Sequence, residues 1–317
     1  MTYHQITAAE RYTLGLLRRQ GLTPAAIARV LGRHRSTVGR ELRRNRTAHD
    51  GAYRPQVAQW HANGRRSRSR RNRRFGPRAW RLVTRRLRQL WSPEQIAGRL
   101  RREGKLRISH ETIYRYIWAD KRRGGTLYTH LRGAQKRRRK RYGAYDSRGR
   151  LAGKRPISQR PHAAEARTRV GHWETDTVLG DGQSGPCVLT MVERKTGYVA
   201  IGQLPVRRST AVNARAARLI RAQPRPVRTV TADNGTEFHE YAALERATGT
   251  RFYFATPHHS WERGTNENTN GLLRQYLPKG ASMAHLTQHD CNRLARHLNH
   301  RPRKRLGYRT PEECYVP

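Results

Sequence analysis

Acidic side chains are scarce in this chain: 22 Asp plus Glu stand against 67 Lys plus Arg in 317 residues, a formal charge of +45. A protein so unbalanced repels itself unless a polyanion neutralises it, and the shortage of acid therefore points to nucleic acid as the partner. Cysteine is rarer still. Cys187, Cys291 and Cys314 are far apart, odd in number and contain no C-x-x-C pair, so neither a disulfide framework nor a zinc knuckle is indicated. No apolar run approaches the ~20 residues that span a bilayer, and no charged-then-apolar signal segment opens the chain. The expectation is a soluble, intracellular protein with no membrane partner.

What is present is arginine, unevenly placed. Residues 1–150 hold 41 basic and 8 acidic side chains, whereas residues 151–317 hold 26 and 14, so the N-terminal half is the stronger docking surface. The length leaves room for a core domain of roughly 150 residues plus small modules. The composition shifts divide the chain into a helix-turn-helix domain at 1–50, a basic linker at 51–88, a second helix-turn-helix-like domain at 89–131, a basic linker at 132–164 and a catalytic domain at 165–317.

Residues 7–46 parse as three short helices in which Leu14, Leu17, Ile27, Leu31, Val38 and Leu42 face one core. Thr23 before Pro24 is a favoured N-cap and first-turn pairing, and Gly32 breaks the chain before the third helix. Val38 and Leu42, four apart, turn Arg35, Ser36, Arg40 and Arg43 toward solvent or a major groove, with Arg33 and Thr37 beside them as further DNA contacts. A weaker copy follows at 91–118. Ser92-Pro93-Glu94-Gln95 resembles a capping box, and Ile96, Leu100, Ile113 and Ile117 repeat the core spacing. Aligning STVGREL with ETIYRYI sets Thr37 against Thr112 and Arg40 against Arg115, which nominates His110, Thr112 and Arg115 as a second set of DNA contacts, although such a helix pair can also be a plain αα-hairpin. The runs GRRSRSRRNRR (64–74) and KRRRKR (136–141) are too dense in like charge to enter a core and read as phosphate-binding tethers.

From about 165 onward arginine thins and β-type segments alternate with helical ones. HWETDTVL (172–179), CVLTMVER (187–194) and YVAIGQLP (198–205) are three strands in hairpin succession. A helix at 209–222, a strand at 226–233, a helix through Tyr241 to Ala247, a strand at 251–255 and a helix at 264–277 follow, with a last helix at 286–299. The order βββαβαβα is that of a ribonuclease H-like α/β domain, the retroviral integrase type. The fold class is thus multidomain, with all-α helix-turn-helix modules ahead of that core.

Carboxylates on such elements suit metal chemistry. Glu174 and Asp176 share a strand face, Asp233 ends the neighbouring strand, and Glu267 would reach in from a helix after an interval of 33 residues. Hard oxygen donors of this kind favour Mg²⁺, or Mn²⁺ in its place, and two such ions can activate the attacking oxygen and stabilise the leaving one in an in-line displacement. Glu262, at an interval of 28, is a rival for the third position, but it sits beside Arg263 as an ion-pair candidate, whereas Glu267 is surrounded by Asn266, Asn268, Asn270 and Arg274. Each residue has a plainer use: Asp233-Asn234-Gly235 is also a common hairpin turn, with Gly supplying positive φ, and Glu174 and Asp176 could line an exposed strand face. Arg274, one or two turns beyond Glu267, is a phosphate clamp or a structural salt bridge. The adjacent His258 and His259 are not assigned as ligands.

Taken together, GHWETD, TADNGTEF and GTNENTNGLLRQYLPKG, with the 33-residue interval and the tail LNHRPRKRLGY.TPEE, resemble the IS30 family of bacterial insertion-sequence transposases. The likeness takes in the N-terminal helix-turn-helix and covers nearly the whole chain. It implies a DDE transposase in which Asp176, Asp233 and Glu267 are the catalytic, metal-holding triad with a pair of Mg²⁺ ions. Glu174, Asn270 and Arg274 are auxiliary in that reading. Glu174 matches a further acid of the first motif, commonly written with Gly where this chain has Thr175. The family also implies double-stranded DNA as partner, both terminal inverted repeats and target, a homo-oligomeric synaptic complex, and a place in the bacterial cytoplasm on the nucleoid.

Overall fold

The computed structural model describes residues 4–69, 75–132, 153–182, 185–256 and 259–316. The chain divides into two compact units, residues 1–80 and 81–317. Residues 70–74 of the first basic run, the whole of the second run and His258 lie outside the described residues.

The first unit opens with α1 (Ala8–Arg19), α2 (Pro24–Val30) and α3 (Arg35–Asn45), the last capped by the His34 ring, which accepts from the Ser36 N–H. Thr7 and Glu10 form a reciprocal capping box, and Thr23 Oγ1 accepts from the Ala26 N–H. Leu14, Ile27, Ala28 and Val38 are the buried centre, with Leu17, Leu31 and Leu42 packed around it. Much of the segment 51–88, expected to be a linker, is helical instead, over 55–68 and 77–88. Helix α4 (Pro55–Arg68) buries Ala58 and Ala62 and packs on α1 and α3. Arg11 fastens all three: its guanidinium, 4% exposed, reaches Glu41 of α3 at 2.6 Å and Gln59 of α4 at 2.8 Å. Composition misread this segment because α4 is apolar only on one narrow stripe, too thin to stand out among its arginines.

Arg33 is also not a free DNA contact. Its Nε donates to Glu10 at 2.8 Å and its Nη1 to the His4 carbonyl at 3.1 Å, tying the start of α3 to the start of α1. The pairing holds the Glu10 carboxyl down at about 2, chiefly through the Arg33 hydrogen bond. A carboxyl depressed by folding contributes stability that is whole above its unfolded value of 4.5 and is lost as pH falls toward 2. Stability curves of the intact chain and of Glu10→Gln, followed by helical circular dichroism, should lie about 1 kcal/mol apart at neutral pH and merge toward pH 2. Parallel curves would mean the pair contributes nothing.

The second unit opens with three helices rather than two: the rest of α5 (Pro77–Arg88), α6 (Pro93–Arg102) and α7 (His110–Arg122). The Ser92–Gln95 capping box forms as the sequence suggests, with the Gln95 N–H on Ser92 Oγ at 3.2 Å and the Ser92 N–H on Gln95 Oε1 at 2.9 Å. Val83, Leu87, Ile96, Ile113 and Ile117 are fully buried, and the Arg86 guanidinium lies 4.5 Å over the Trp91 ring.

The sheet follows. Strands β1 (His172–Leu179), β2 (Cys187–Glu193) and β3 (Val199–Leu204) form an antiparallel meander, while β4 (Thr229–Ala232) runs parallel to β1 and β5 (Arg251–Phe254) parallel to β4, giving the order β3-β2-β1-β4-β5. That strand order and sense are the ribonuclease H-like arrangement. After the short α8 (His162–Glu165) come α9 (Ser209–Arg221), α10 (Tyr241–Thr248), α11 (Gly264–Leu273), α12 (Gln288–Asn299) and α13 (Pro311–Tyr315).

Period-two alternation sorts the sheet's side chains between two cores. Trp173, Leu189 and Met191 join Val212, Ala216 and Ile220 of α9, whereas Val178, Val188 and Val192 join Leu272 and Leu273 of α11 and Leu294 and Leu298 of α12. Residues 153–164, expected to be linker, dress the far edge: Pro156 bridges Phe254, and the Arg155 carbonyl accepts from the Phe254 N–H. Among the described residues no helix is long and apolar enough to cross a membrane.

Candidate active site

Glu174 and Asp176 lie on the α11 face of β1, two residues apart, and meet different partners. Glu174 is fully buried, paired with Arg194 and accepting from the Asn266 N–H at 2.8 Å. It clamps the first turn of α11 to the sheet, so its carboxylate is consumed by structure and is not free to act as an auxiliary acid. Asp176 stands at the rim. Its Oδ2 accepts from Asn270 Nδ2 at 2.9 Å, and the Thr190 hydroxyl lies 3.1 Å from each of three acceptors, the Asp176 backbone carbonyl, Asn266 Oδ1 and Asn270 Oδ1. Asn266 and Asn270, four apart on α11, present one polar face to β1 and β2. Thr175, where the family pattern has Gly, continues the strand, its hydroxyl on the Thr190 carbonyl at 3.1 Å.

Asp233 follows the last residue of β4, parallel neighbour of β1. Its Oδ1 accepts from the Gly235 N–H at 3.0 Å, and Asn234 reaches across to the Ala255 carbonyl at 2.8 Å. The segment is not a hairpin turn, because Gly235 has φ −60° and leads into the short 3₁₀ helix Thr236–Phe238. A larger residue here would displace the two acids: a Cβ would lie 2.3 Å from Glu237 Oε2 and 2.9 Å from Asp233 Oδ1. Gly235→Ala should therefore spread these two carboxylates and depress strand cleavage by about 10-fold or more while the fold survives. Unchanged cleavage would show that their spacing is immaterial.

Two aspartates converge on one cation of the chain itself. Arg263 Nη2 lies 3.3 Å from Asp233 Oδ2 and Nη1 lies 3.7 Å from Asp176 Oδ1, while Nη1 also donates to the Thr175 carbonyl at 3.1 Å. The expected Glu262–Arg263 pairing is not made. Glu262 instead accepts from the Thr256 N–H at 2.7 Å and from its hydroxyl, with His259 at 3.6 Å, which removes Glu262 as a rival donor to the pair. Burial raises the Asp176 carboxyl to about 6, with Asp233 and Glu237 adding to the rise and Arg263 opposing it. Burial is thus the larger cost of ionising Asp176, and the Arg263 guanidinium is the charge that offsets it.

Glu267 lies on the first turns of α11, one residue beyond Asn266 and three before Asn270, exposed and with no hydrogen bond or ion pair among the described residues. The helix that carries it is thus pinned against Asp176, but its carboxylate stands apart: no three His, Cys, Asp or Glu side chains among the described residues are grouped closely enough to share an ion. Arg274 caps the C-terminus of α11 and donates to the Leu277 carbonyl at 3.4 Å; no salt bridge engages it among the described residues.

Three residues here escaped the sequence reading. Glu237 is buried, its Oε1 taking Thr177 Oγ1 at 2.8 Å and Arg207 Nη2 at 2.6 Å while its buried Oε2 has no partner. Lys154, in a segment taken for linker, donates to Asn234 at 3.2 Å and lies 4.6 Å over the Phe254 ring. Arg263 was assigned to the wrong acid. Glu237 was legible in TADNGTEF as a second carboxylate beside Asp233; the other two depend on long-range packing.

On the two helix-turn-helix heads, the domains expected at 1–50 and 89–131, Arg35, Arg40 and Arg43 are exposed on α3 and His110 and Arg115 on α7. Ser36 accepts from Arg40 Nη2 at 3.0 Å, Thr37 is half-buried, and the Thr112 hydroxyl is engaged by the N-cap Ser109 at 2.9 Å.

Similarity to other proteins extends over nearly the whole chain. A family described as a helix-turn-helix domain matches residues 2–45. The transposase for insertion sequence element IS4351 of Bacteroides fragilis is 41% identical over 310 residues, covering 98% of this chain and 95% of its own. That for IS1086 of Cupriavidus metallidurans is 38% identical over 320 residues, covering 98% and 93%. The transposase InsI for IS30A of Escherichia coli K12 is 36% identical over 307 residues, covering 91% and 77%. Among solved structures, the catalytic core domain of BIV integrase is 20% identical with a TM-score of 0.36, covering 46% of this chain and 93% of that one.

Proposed function

The chain belongs to the IS30 family of insertion-sequence transposases, nucleic-acid-processing enzymes, and from that premise we propose that it cuts and rejoins DNA at an Asp176, Asp233 and Glu267 site while its N-terminal heads hold the element's inverted repeats. The observation that carries this reading is the convergence of Asp176 and Asp233, from neighbouring parallel strands, on the single guanidinium of Arg263. Two carboxylates that recruit a side-chain cation in the resting chain have the hard oxygen donors that suit Mg²⁺ or Mn²⁺. Asp176 and Asp233 would hold such ions, with Glu267 completing the set from α11. A bound pair supplies charge stabilisation to the attacking and leaving oxygens of an in-line displacement.

The chain's own groups do the rest. Asn270 fixes the Asp176 carboxylate through its 2.9 Å hydrogen bond, and the Glu174 clamp keeps α11 at that register. Arg263, released from the aspartates, and Arg274 are placed to take phosphate oxygens, which a guanidinium binds in a planar fork. Water opens a P–O3′ bond at the element's end. The freed 3′-hydroxyl oxygen then bonds to phosphorus in a second strand as that strand's own P–O3′ bond breaks. The exposed arginines of α3 and the His110 and Arg115 face of α7 supply the grip on duplex DNA, and two copies or more would be needed to hold both ends in one synaptic complex.

The test is a strand-transfer assay on duplexes ending in the element's inverted repeats, with Mg²⁺, Mn²⁺ or chelator. Joined product with either metal and none with chelator is the expected result. Wild-type protein that binds the ends yet never nicks them in metal would reject the reading.

A further inference from the structure

The second helix-turn-helix-like module was expected to lie between two basic linkers, but its helix α6 is packed against the C-terminal tail of the same unit. Gly98 on α6 lies directly under the ring of Tyr308, where a Cβ would come within 2.2 Å of Cε1. Tyr308 holds φ +61°, a left-handed conformation that costs a non-glycine residue of order 1 kcal/mol and persists only when surrounding contacts enforce it. Next to it Arg99 makes a two-pronged pair with Glu313 of α13, Nη1 to Oε2 at 2.8 Å and Nη2 to Oε1 at 2.6 Å, and Lys304 reaches Glu94 at 2.7 Å.

A third link runs to the catalytic helix. Arg301, 1% exposed, donates from Nε to Gln95 at 2.8 Å and from Nη1 to Gln275 at 2.8 Å, two residues past the end of α11. At the head's other end Arg132 reaches Asn268, the neighbour of Glu267, at 3.3 Å. Helix α6 is thus occupied by protein. Helix α7 is left with a continuous exposed stripe of His110, Tyr114, Arg115, Trp118 and Lys121, cations and aromatics suited to a duplex rather than to a basic partner.

We propose that Tyr308, Glu313 and Arg301 are positioning residues that lock the second head to the catalytic core, so that DNA held by α7 is cut at one fixed distance from the site it occupies. The proposal rests on the proposed function above and adds what decides where the strand is broken. A head on a loose tether would tolerate changes in the spacing between its footprint and the cut. A head locked through α6 makes the distance a property of the protein, and moving the footprint by about five base pairs turns it to the opposite side of the duplex.

The experiment maps nicks on end-labelled duplexes whose α7 footprint is displaced in single-base-pair steps from the natural end, using the full chain. Wild type should cut at one position that travels with the footprint. Tyr308→Gly combined with Glu313→Gln removes the ring and weakens the ion pair while suiting the left-handed backbone. Gly98→Ala attacks the same contact from α6, so one failure to fold does not remove the test. Either folded variant should bind DNA within about 3-fold of wild type and scatter its cuts over several positions, a change of place that mere destabilisation does not produce. Variants that cut at the single wild-type position and rate, or a wild-type cut that stays put as the footprint moves, would overturn the proposal. Wild type that never cuts would reject the function itself.

Discussion

Glu267→Gln should bind inverted-repeat DNA as wild type does and cut and join it at least about 100-fold more slowly, since loss of groups merely supporting a metal ligand already costs 10- to 100-fold. The amide keeps the shape of the side chain and removes the anionic oxygen that a hard cation requires. Because Glu267 is exposed and partnerless, its replacement should leave stability within about 0.5 kcal/mol of wild type, so lost activity cannot be assigned to lost fold. Asp176→Asn and Asp233→Asn should be equally inactive, but each also deprives Arg263 of a partner. Measured strand-transfer rates decide the matter. A Glu267→Gln protein that joins DNA at the wild-type rate would move the third donor elsewhere, and Glu237 would be the acid to test next, because its unpartnered Oε2 crowds the same glycine as Asp233.

Glu174→Ala is expected to behave in the opposite way, losing about 3 kcal/mol of stability, because it takes from the buried Arg194 guanidinium its close carboxylate partner and leaves it only the exposed Glu165 at 3.7 Å and the Ala164 carbonyl at 2.8 Å. It also frees the Asn266 N–H that the second Glu174 oxygen accepts, and so loosens the start of α11. Its loss of cleavage should track the unfolded fraction in thermal melts, and cooling should restore much of it. Glu174→Ala with wild-type melting and no activity would return Glu174 to the chemistry.

Between these two acids lies the difference between what the sequence shows and what it hides. Glu174 and Asp176 are two residues apart on one strand face, and period two says correctly that they point the same way. It cannot say that Arg194 waits for one while the other stands at the rim. Likewise Arg263 follows Glu262 in the chain, which suggests a pair, yet Glu262 turns to Thr256 and Arg263 to Asp176 and Asp233. Neighbours in sequence are a poor guide to ion pairs, since a helical turn or loop can send adjacent side chains to opposite sides.

The amino-acid sequence alone determined many of the elements: the first three helices with the Thr23 cap, the five strands and the helices between them, and the arginine excess that calls for DNA. Those follow from local propensity, capping and periodicity, which act over a few residues. Only the tertiary structure decided that α4 belongs to the first head, that α6 is bolted to the C-terminal tail through Tyr308 and Glu313, and that Arg263 bridges the two aspartates. Each of those joins residues tens to hundreds of positions apart, and contacts of that range are settled by which surfaces fit and which buried charges find partners once the chain has closed on itself.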